Sequence, residues 1–550
     1  MTRTHPSRTA PPASHLLALA LSSCAVLAAS TGCQDEEPPS AVDVLLDAAG
    51  LPTTGTDLPV LYTSSQVEWY EILEGSSPGE PPVLTDRVEQ QRWLDVAQDR
   101  LRIERVHEHV EPLVGSNSHA DILVGEDGVI DGIDTLPVPL PRRTMGPARR
   151  AFTAKFARYA VPWLYARRAQ LDPTTVQMTQ ESGSTVLEVD EVPRPVRLYV
   201  EPSSGDISRL TTMEYDFLLG DVAIEVVYDD WQTIPGTSAR LPYRVDIMVD
   251  NMVVYHEQRT DAVLDPASDP ERFGLPAVDP ASDLPLPTDI AAEHELGHAV
   301  AHWIGRLLGI GVPIIADLPQ ASVIAIPLTP DVAVLAGPTH HSMAVDIGDS
   351  IVVVEPPVNE SRSQALIAEV AVLWPGKPIS HIVCSHHHFD HCGGVRTFAA
   401  VGATVVIGEA SADFMAEVLE RPHTVIEDEL ARVGGPTDIL TVGTEPLILG
   451  AGDQRLELWP LASVHADDML LAFAPAAGAL FNADLYNTGS SPAPGDAVTN
   501  SSATFAEVCD AIADFQLPVT SLVGGHAVTE PVVPESVLAQ ALGRPSCLAP

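Results

Sequence analysis

Lysine is almost missing from this chain of 550 residues: Lys155 and Lys377 are its only two. Positive charge is scarce altogether, with 30 Lys+Arg against 75 Asp+Glu and a formal net charge of −45. Such a surface repels polyanions, which excludes nucleic acid as a partner for the protein as a whole. The arginine bias among so few cations reads as a genome-composition effect. Cysteine is sparse, six residues. Cys509 and Cys547 are free to pair, but buried or free thiols satisfy the sequence equally well. A membrane-spanning run is also lacking at the N-terminus, where the apolar stretch 16–29 is too short to cross a bilayer. What the chain has is apolar content, 45%, enough for a real core and too much for disorder over most of its length. The length predicts two to four domains.

The N-terminus reads as an export signal. Arg3 and Arg8 precede the apolar run, and no acid occurs before Asp35. The run ends in Ser30-Thr31-Gly32-Cys33, small residues before a cysteine. This resembles the bacterial lipobox, with Ser30 where leucine is usual. The resemblance implies removal of residues 1–32, lipidation of Cys33, and a periplasmic or outer-membrane-anchored protein that meets the membrane through its lipid. An ordinary secretory signal cut nearby is the alternative. Residues 33–60, rich in Pro, Asp and Thr, read as a linker.

Residues 86–110 place Val88, Trp93, Leu94, Val96, Leu101, Ile103 and Val106 at spacings compatible with a helix. The stretch 142–168 carries eight cations and no acid, with Phe152, Phe156, Tyr159 and Trp163 at helical spacing. A helix resting on anionic headgroups has this composition. So does a helix whose aromatic side packs on the domain and whose arginines pair with the acidic bulk, and that reading is favoured. From 184 to 265 the period becomes two, as in Val196, Leu198 and Val200, with turn signals between runs. This predicts an antiparallel meander. It bears a weak likeness to the curved sheets of lipoprotein-carrier domains. A Pro- and Asp-rich boundary at 265–288 leads to a helical stretch at 289–309. Beyond it, apolar strands at 351–354, 382–383 and 404–407 alternate with helices at 363–374 and 409–420, an α/β pattern. The expected order is an α+β accessory domain with an antiparallel sheet at 61–285, a connecting helix and linker at 286–322, and a catalytic α/β domain at 323–550.

The chemistry concentrates in Ser385-His386-His387-His388-Phe389-Asp390-His391-Cys392-Gly393-Gly394, directly after the apolar strand Ile382-Val383. In an extended segment alternate residues share a side, so His386 and His388 can grip one metal while Asp390 and His391 turn toward another. Imidazole and carboxylate suit zinc, with iron or manganese as alternatives. Gly393-Gly394 is expected to let the backbone turn tightly. His-x-His-x-Asp-His resembles the hallmark of the metallo-β-lactamase superfamily. Further segments match in order: "SVHADDMLL" with His465, "ALFNADLY" with Asp484 and "LVGGHAV" with His526. The resemblance implies an αββα sandwich holding two divalent ions. His386, His388 and His465 would hold one ion, and Asp390, His391 and His526 the other, with Asp484 bridging. Two such ions activate a shared hydroxide for attack on an electrophilic carbonyl or phosphorus, and Asp390 is the expected catalytic residue. His341 and Tyr486 lie beside motif segments as candidate supporting groups.

Asp484 stands where the zinc β-lactamases carry Cys or Ser. The full ligand set looks more like glyoxalase II, lactonases and other hydrolases of small esters, thioesters or lactones. Phosphodiesterases and nucleases fit the acidic charge poorly, and no flavin-binding segment follows. A single-iron persulfide dioxygenase shares the motif. Two other classes compete. His294-Glu295-x-x-His298 is the zinc-metalloprotease string, with Glu295 as general base, but the third ligand spacing is not evident. A non-catalytic envelope binding lipoprotein is the second, and the intact ligand set argues against it.

Overall fold

In this computed structural model, the described residues are 38–51, 60–110, 115–135, 140–266, 269, 271–280, 283, 299–308, 311–435, 437–487, 500–526 and 530–548. The export signal, Cys33 and the His294-Glu295-x-x-His298 string lie outside them. Among the described residues no helix is long and apolar enough to cross a membrane.

Among the described residues, the N-terminal half is built on one antiparallel sheet of thirteen strands. They are β1 (Val60–Glu71), β2 (Val83–Asp95), β3 (Arg100–His109), β4 (Gly115–Val124), β5 (Asp127–Gly132), β6 (Arg142–Thr144), β7 (Val176–Glu181), β8 (Ser184–Val189), β9 (Val196–Val200), β10 (Ile207–Asp216), β11 (Gly220–Thr233), β12 (Arg240–Val249) and β13 (Met252–Leu264). The order β6-β5-β4-β3-β2-β1-β13-β12-β11-β10-β9-β8-β7 makes two meanders that meet where β1 pairs with β13. The meander expected at 184–265 is therefore half of a larger sheet.

Residues 86–110 are not helical: they form β2 and β3, paired with Asp86 opposite His109 and Leu94 opposite Leu101. The inward face of these strands carries Asp86, Gln90, Arg92, Arg105, His107 and His109, all buried. Polar residues at inward positions erase the apolar period of two that would have announced strands. They are tolerated because they pair. Arg92 and Arg259 meet the Glu257 carboxylate at 3.3 Å each, and Arg105 donates to Asp121 at 2.8 Å.

The basic stretch folds into helices Pro147–Ala160 and Trp163–Leu171. Phe152, Phe156, Tyr159 and Trp163 are buried against the sheet, with Trp69 6.0 Å from Phe156. Arg143 pairs with Asp134, Arg149 with Asp121, Lys155 with Glu214 and Arg158 with Glu191. Cations paired inside the protein do not meet headgroups, so the packing reading describes this segment. The expected linker at 33–60 also needs correction. Ala41–Ala48 is a helix whose Ser40 and Asp43 form a reciprocal capping box, and Leu45 and Leu46 are buried. A Ser-x-x-Asp start before an apolar run overrides the proline-rich surroundings.

Among its described residues, the C-terminal half has two sheets. The first orders β14 (Ile324–Thr329), β15 (Val332–Ala336), β16 (His341–Asp346), β17 (Ile351–Val354), β18 (Ile379–Val383), β19 (Thr404–Gly408) and β20 (Ile439–Val442). It is antiparallel up to β17 and parallel beyond. The second orders β21 (Leu447–Ala451), β22 (Gln454–Pro460), β23 (Leu470–Ala474), β24 (Ala479–Phe481), β25 (Ser521–Val523) and β26 (Val532–Pro534). Val334, Val352, Val383 and Val406 of the first share a buried cluster with Leu456, Leu471, Leu480 and Leu522 of the second. The other face of the first sheet, through Leu335, Val353 and Ile382, joins the cluster that fills the N-terminal half. Residues 40–550 accordingly form one compact unit. Cys509 and Cys547 are disulfide-bonded, whereas Cys384 and Cys392 are buried thiols.

Candidate metal centre

The histidine-rich motif leaves the C-terminal end of β18, a parallel strand flanked by β17 and β19. His386 and His388 sit in the loop, and Asp390 and His391 in the helical turn Phe389–Cys392. His387, between them, donates instead from Nδ1 to Asp468 Oδ1 at 2.9 Å. Behind the turn, Gly393 and Gly394 have φ of −56° and −105°, conformations open to any residue. What demands glycine is space, not turning. A Cβ at Gly393 would lie 2.2 Å from the Val358 carbonyl oxygen, and one at Gly394 2.0 Å from Ser363 Oγ.

Three later loops bring the remaining side chains to the same place: His465 between β22 and β23, Asp484 after β24, and His526 after β25. The side chains form two groups, His386–His388–His465–Asp484 and His340–Asp390–His391–His526. Asp484 offers one oxygen to each group. Its Oδ2 lies 3.1 Å from His465 Nε2 and 3.6 Å from His386 Nε2. Its Oδ1 lies 2.9 Å from His391 Nε2 and 2.6 Å from His526 Nε2.

This geometry fits divalent ions. The ring nitrogens His465 Nε2 and His386 Nε2 are 3.2 Å apart, close to the edge of ~3.3 Å expected for a tetrahedron with metal–nitrogen bonds of ~2.0–2.1 Å. At this distance one ring can donate to the other in the absence of an ion, and a shared cation would take the place of that proton. His391 Nε2 and Asp484 Oδ1, both buried, have no hydrogen bond of good geometry.

Charge tells the same story. Burial and the neighbouring imidazoles hold His386 and His388 well below the usual histidine range, leaving them neutral, the form that binds metal. Burial also lowers His391, but the carboxylates of Asp484, Asp390 and Glu355 outweigh it and raise this imidazole well above its ordinary value. His526 is raised in the same way by Asp484. Asp390 and Asp484 are held low despite burial, chiefly by His391. Two carboxylates thus draw positive charge onto their neighbours, the role divalent ions would take.

A family model described as the metallo-β-lactamase superfamily matches residues 325–512. The chain carries a metallo-β-lactamase superfamily domain. Solved structures similar to it include a metallo-β-lactamase from Pontibacter korlensis, 18% identical over 40% of this chain and 98% of that one, with a TM-score of 0.31. The DIM-1 metallo-β-lactamase is 12% identical over 40% of this chain and 96% of its own, with a TM-score of 0.30. The metal-soaked Flv1 flavodiiron core from Synechocystis sp. PCC6803 is 16% identical over 40% of this chain and 61% of its own, with a TM-score of 0.30. No curated protein matches the chain.

Several residues around the metallo-β-lactamase motif were not singled out by sequence reasoning. His340, not its neighbour His341, reaches the site, with Nε2 3.0 Å from Asp390 Oδ2. Burial and His526 push His340 down to about 3. The His341 ring is buried away from any hydrogen-bond partner, while its backbone N–H donates to the Gly525 carbonyl at 2.7 Å. The adjacent His340-His341 pair was the signal, and the register of β16 decides between them. Tyr486 packs edge-on against Phe505 at 4.9 Å in the core. Glu355, at the end of β17 with φ of +72°, accepts from His391 Nδ1 at 2.8 Å and from Ser385, whose Oγ is 2.8 Å from His386 Nδ1. One carboxylate therefore orients a histidine of each group. Its only trace in the sequence is an acid closing an apolar strand.

Finally, the loop between β1 and β2 of the N-terminal sheet enters the site. The Gly75 carbonyl oxygen lies 3.2 Å from His388 Nε2, and Glu74 Oε2 lies 3.6 Å from His388 Nδ1. Burial, then Asp390 and Asp484, raise the Glu74 carboxyl well above the usual range. Nothing in the sequence links residue 74 to the motif.

Proposed function

We propose that this protein is a dinuclear metallohydrolase, similar to glyoxalase II, that cleaves a small ester, thioester or lactone. The observation that carries the reading is the Asp484 carboxylate, with one oxygen directed to each histidine group. The buried core shared by the two C-terminal sheets supports the αββα sandwich of the superfamily. His386, His388, His465 and Asp484 would hold one ion, and Asp390, His391, His526 and Asp484 the other, with zinc favoured and iron or manganese as alternatives. Ions bound there would polarise the scissile carbonyl and activate water.

The chain's own residues prepare that chemistry. Glu355 accepts the Nδ1–H of His391 and, through Ser385, that of His386, which leaves each Nε2 facing Asp484. His340 Nε2 holds Asp390 Oδ2, leaving the other oxygen of this carboxylate to orient an attacking water. The N-terminal pattern supports an exported lipoprotein anchored through Cys33, acting on a small molecule and not on nucleic acid.

The test is metal content together with hydrolysis of an ester, thioester, lactone and peptide panel, for wild type and Asp390→Asn. Two ions per chain and turnover of an ester-class substrate are expected. Asp390→Asn should lower kcat by about 10²–10⁴-fold. Full activity and full metal in Asp390→Asn overturn the reading. Mass spectrometry of the mature N-terminus in the same preparation should find an acylated Cys33, and an unmodified end refutes the anchor.

A further inference from the structure

We propose that the N-terminal sheet completes the metal centre by supplying Glu74 as a further ligand, on the side of His386, His388 and His465. The inference rests on the metal-centre reading above and concerns a residue outside the 325–512 superfamily match.

The strap that carries Glu74, residues 72–82 between β1 and β2, is pinned along its length. At its start, Arg306 donates from Nη1 to the Ile72 carbonyl at 2.8 Å, while its Nε meets Asp216 at 3.0 Å and its guanidinium lies 4.8 Å over the Phe389 ring, beside Asp390. Further on, the Asp467 N–H donates to the Ser76 carbonyl at 2.9 Å, and Ser77 Oγ donates to Asp467 Oδ2 at 2.6 Å. Asp467 is two residues past His465, so the strap is tied to a loop that carries a ligand. Leu73 takes φ of +68°, a left-handed conformation that leucine avoids. A strained residue held between two anchored points aims the next side chain, and that side chain is Glu74.

Two contacts give the aim its meaning. The Gly75 carbonyl accepts from His388 Nε2, so the proton sits on Nε2 and the Nδ1 lone pair is left to coordinate. Glu74 Oε2 lies 3.6 Å from that same Nδ1, the separation that His386 Nε2 keeps from Asp484 Oδ2 in the same group. Glu74 Oε1 is buried without a hydrogen-bond partner. A buried carboxyl near Asp390 and Asp484 with an unsatisfied oxygen either keeps its proton or gives it up to a cation between them. With Glu74, three carboxylates face two divalent ions instead of two. A set of three imidazoles and two carboxylates also shifts preference from zinc toward harder ions such as manganese or iron.

The experiment compares wild type, Glu74→Gln, Glu74→Asp and His386→Ala as full chains. It measures Zn(II) and Mn(II) affinity, the visible spectrum of the Co(II) form, and the rise in Tm on metal loading. Glu74→Gln is nearly isosteric with the carboxyl it replaces, so its metal-free Tm should stay close to that of wild type. It should bind one of its two ions at least about ten-fold more weakly, with Mn(II) affected more than Zn(II). The Co(II) bands should intensify as the coordination number falls, and the metal-induced rise in Tm should shrink. Glu74→Asp should fall between Glu74→Gln and wild type. Unchanged affinities and spectra in Glu74→Gln, while His386→Ala loses metal, overturn the role of Glu74 alone. A wild type that binds no metal overturns the metal centre and this ligand together.

Discussion

At the scale of single residues, the centre depends on groups that hold the first ring of side chains. Glu355 is the clearest: buried, 2.8 Å from His391 Nδ1 and linked to His386 through Ser385. Glu355→Gln keeps the shape but turns one acceptor into a donor, and it weakens the preference for the Nδ1–H tautomer. Metal affinity, read by competition with a chelator, should fall about 10–100-fold. An unchanged affinity would remove Glu355 from the centre. The ring itself was legible in the sequence because His-x-His-x-Asp-His and the later His465, Asp484 and His526 keep a recognisable order. Glu355, His340 and Glu74 were not, because a supporting group has no required spacing along the chain. It needs only to arrive within about 3 Å of a ring nitrogen, and any strand end or loop can deliver it.

Among the elements, the strands around Glu257 show why local pattern misleads. Its carboxylate on β13 takes contacts from Arg92 on β2, Arg259, Tyr255 and Ser65. Burial alone would raise this carboxyl, but Arg259 and Arg92 outweigh it and hold it at about 2, below its ordinary 4.5. A carboxyl lowered in the folded state stabilises fully above the unfolded value and loses that contribution as pH falls through the folded one. Thermal unfolding of wild type should therefore become strongly pH-dependent between about 4.5 and about 2. Glu257→Gln strands two buried guanidinium groups and should lose about 3–5 kcal/mol at neutral pH. Its deficit against wild type should shrink as pH drops through that window, and a deficit independent of pH would refute the assignment. The same pairing explains the misread helix at 86–110, where Arg92 and Arg105 occupy inward positions that the apolar alternation rule reserves for valine or leucine.

On the scale of the whole molecule, the thirteen-stranded sheet and the metallo-β-lactamase domain are not independent bodies. Leu335, Val353 and Ile382 of the domain lie in the same apolar cluster as Trp69, Phe156 and Trp303. Residues 323–550 expressed alone would expose that face and lose both Arg306 and the strap that carries Glu74. The fragment should be insoluble or unfold well below the full chain by circular dichroism. A soluble fragment with full metal affinity would show the two halves to be separable. What the sequence determined by itself was whatever is encoded in short order along the chain: the motif with its histidine and aspartate side chains, the alternation of β9 to β13, the strand–helix rhythm after 350, and the acidic charge. Only the tertiary structure decided which of two adjacent histidines faces the centre, which of the cysteines pair, and that a loop some 300 residues before the motif reaches His388. Those outcomes depend on sheet register and on packing between distant segments. Both are set by burying apolar surface and pairing buried charge across the fold, and neither leaves a local pattern in the chain.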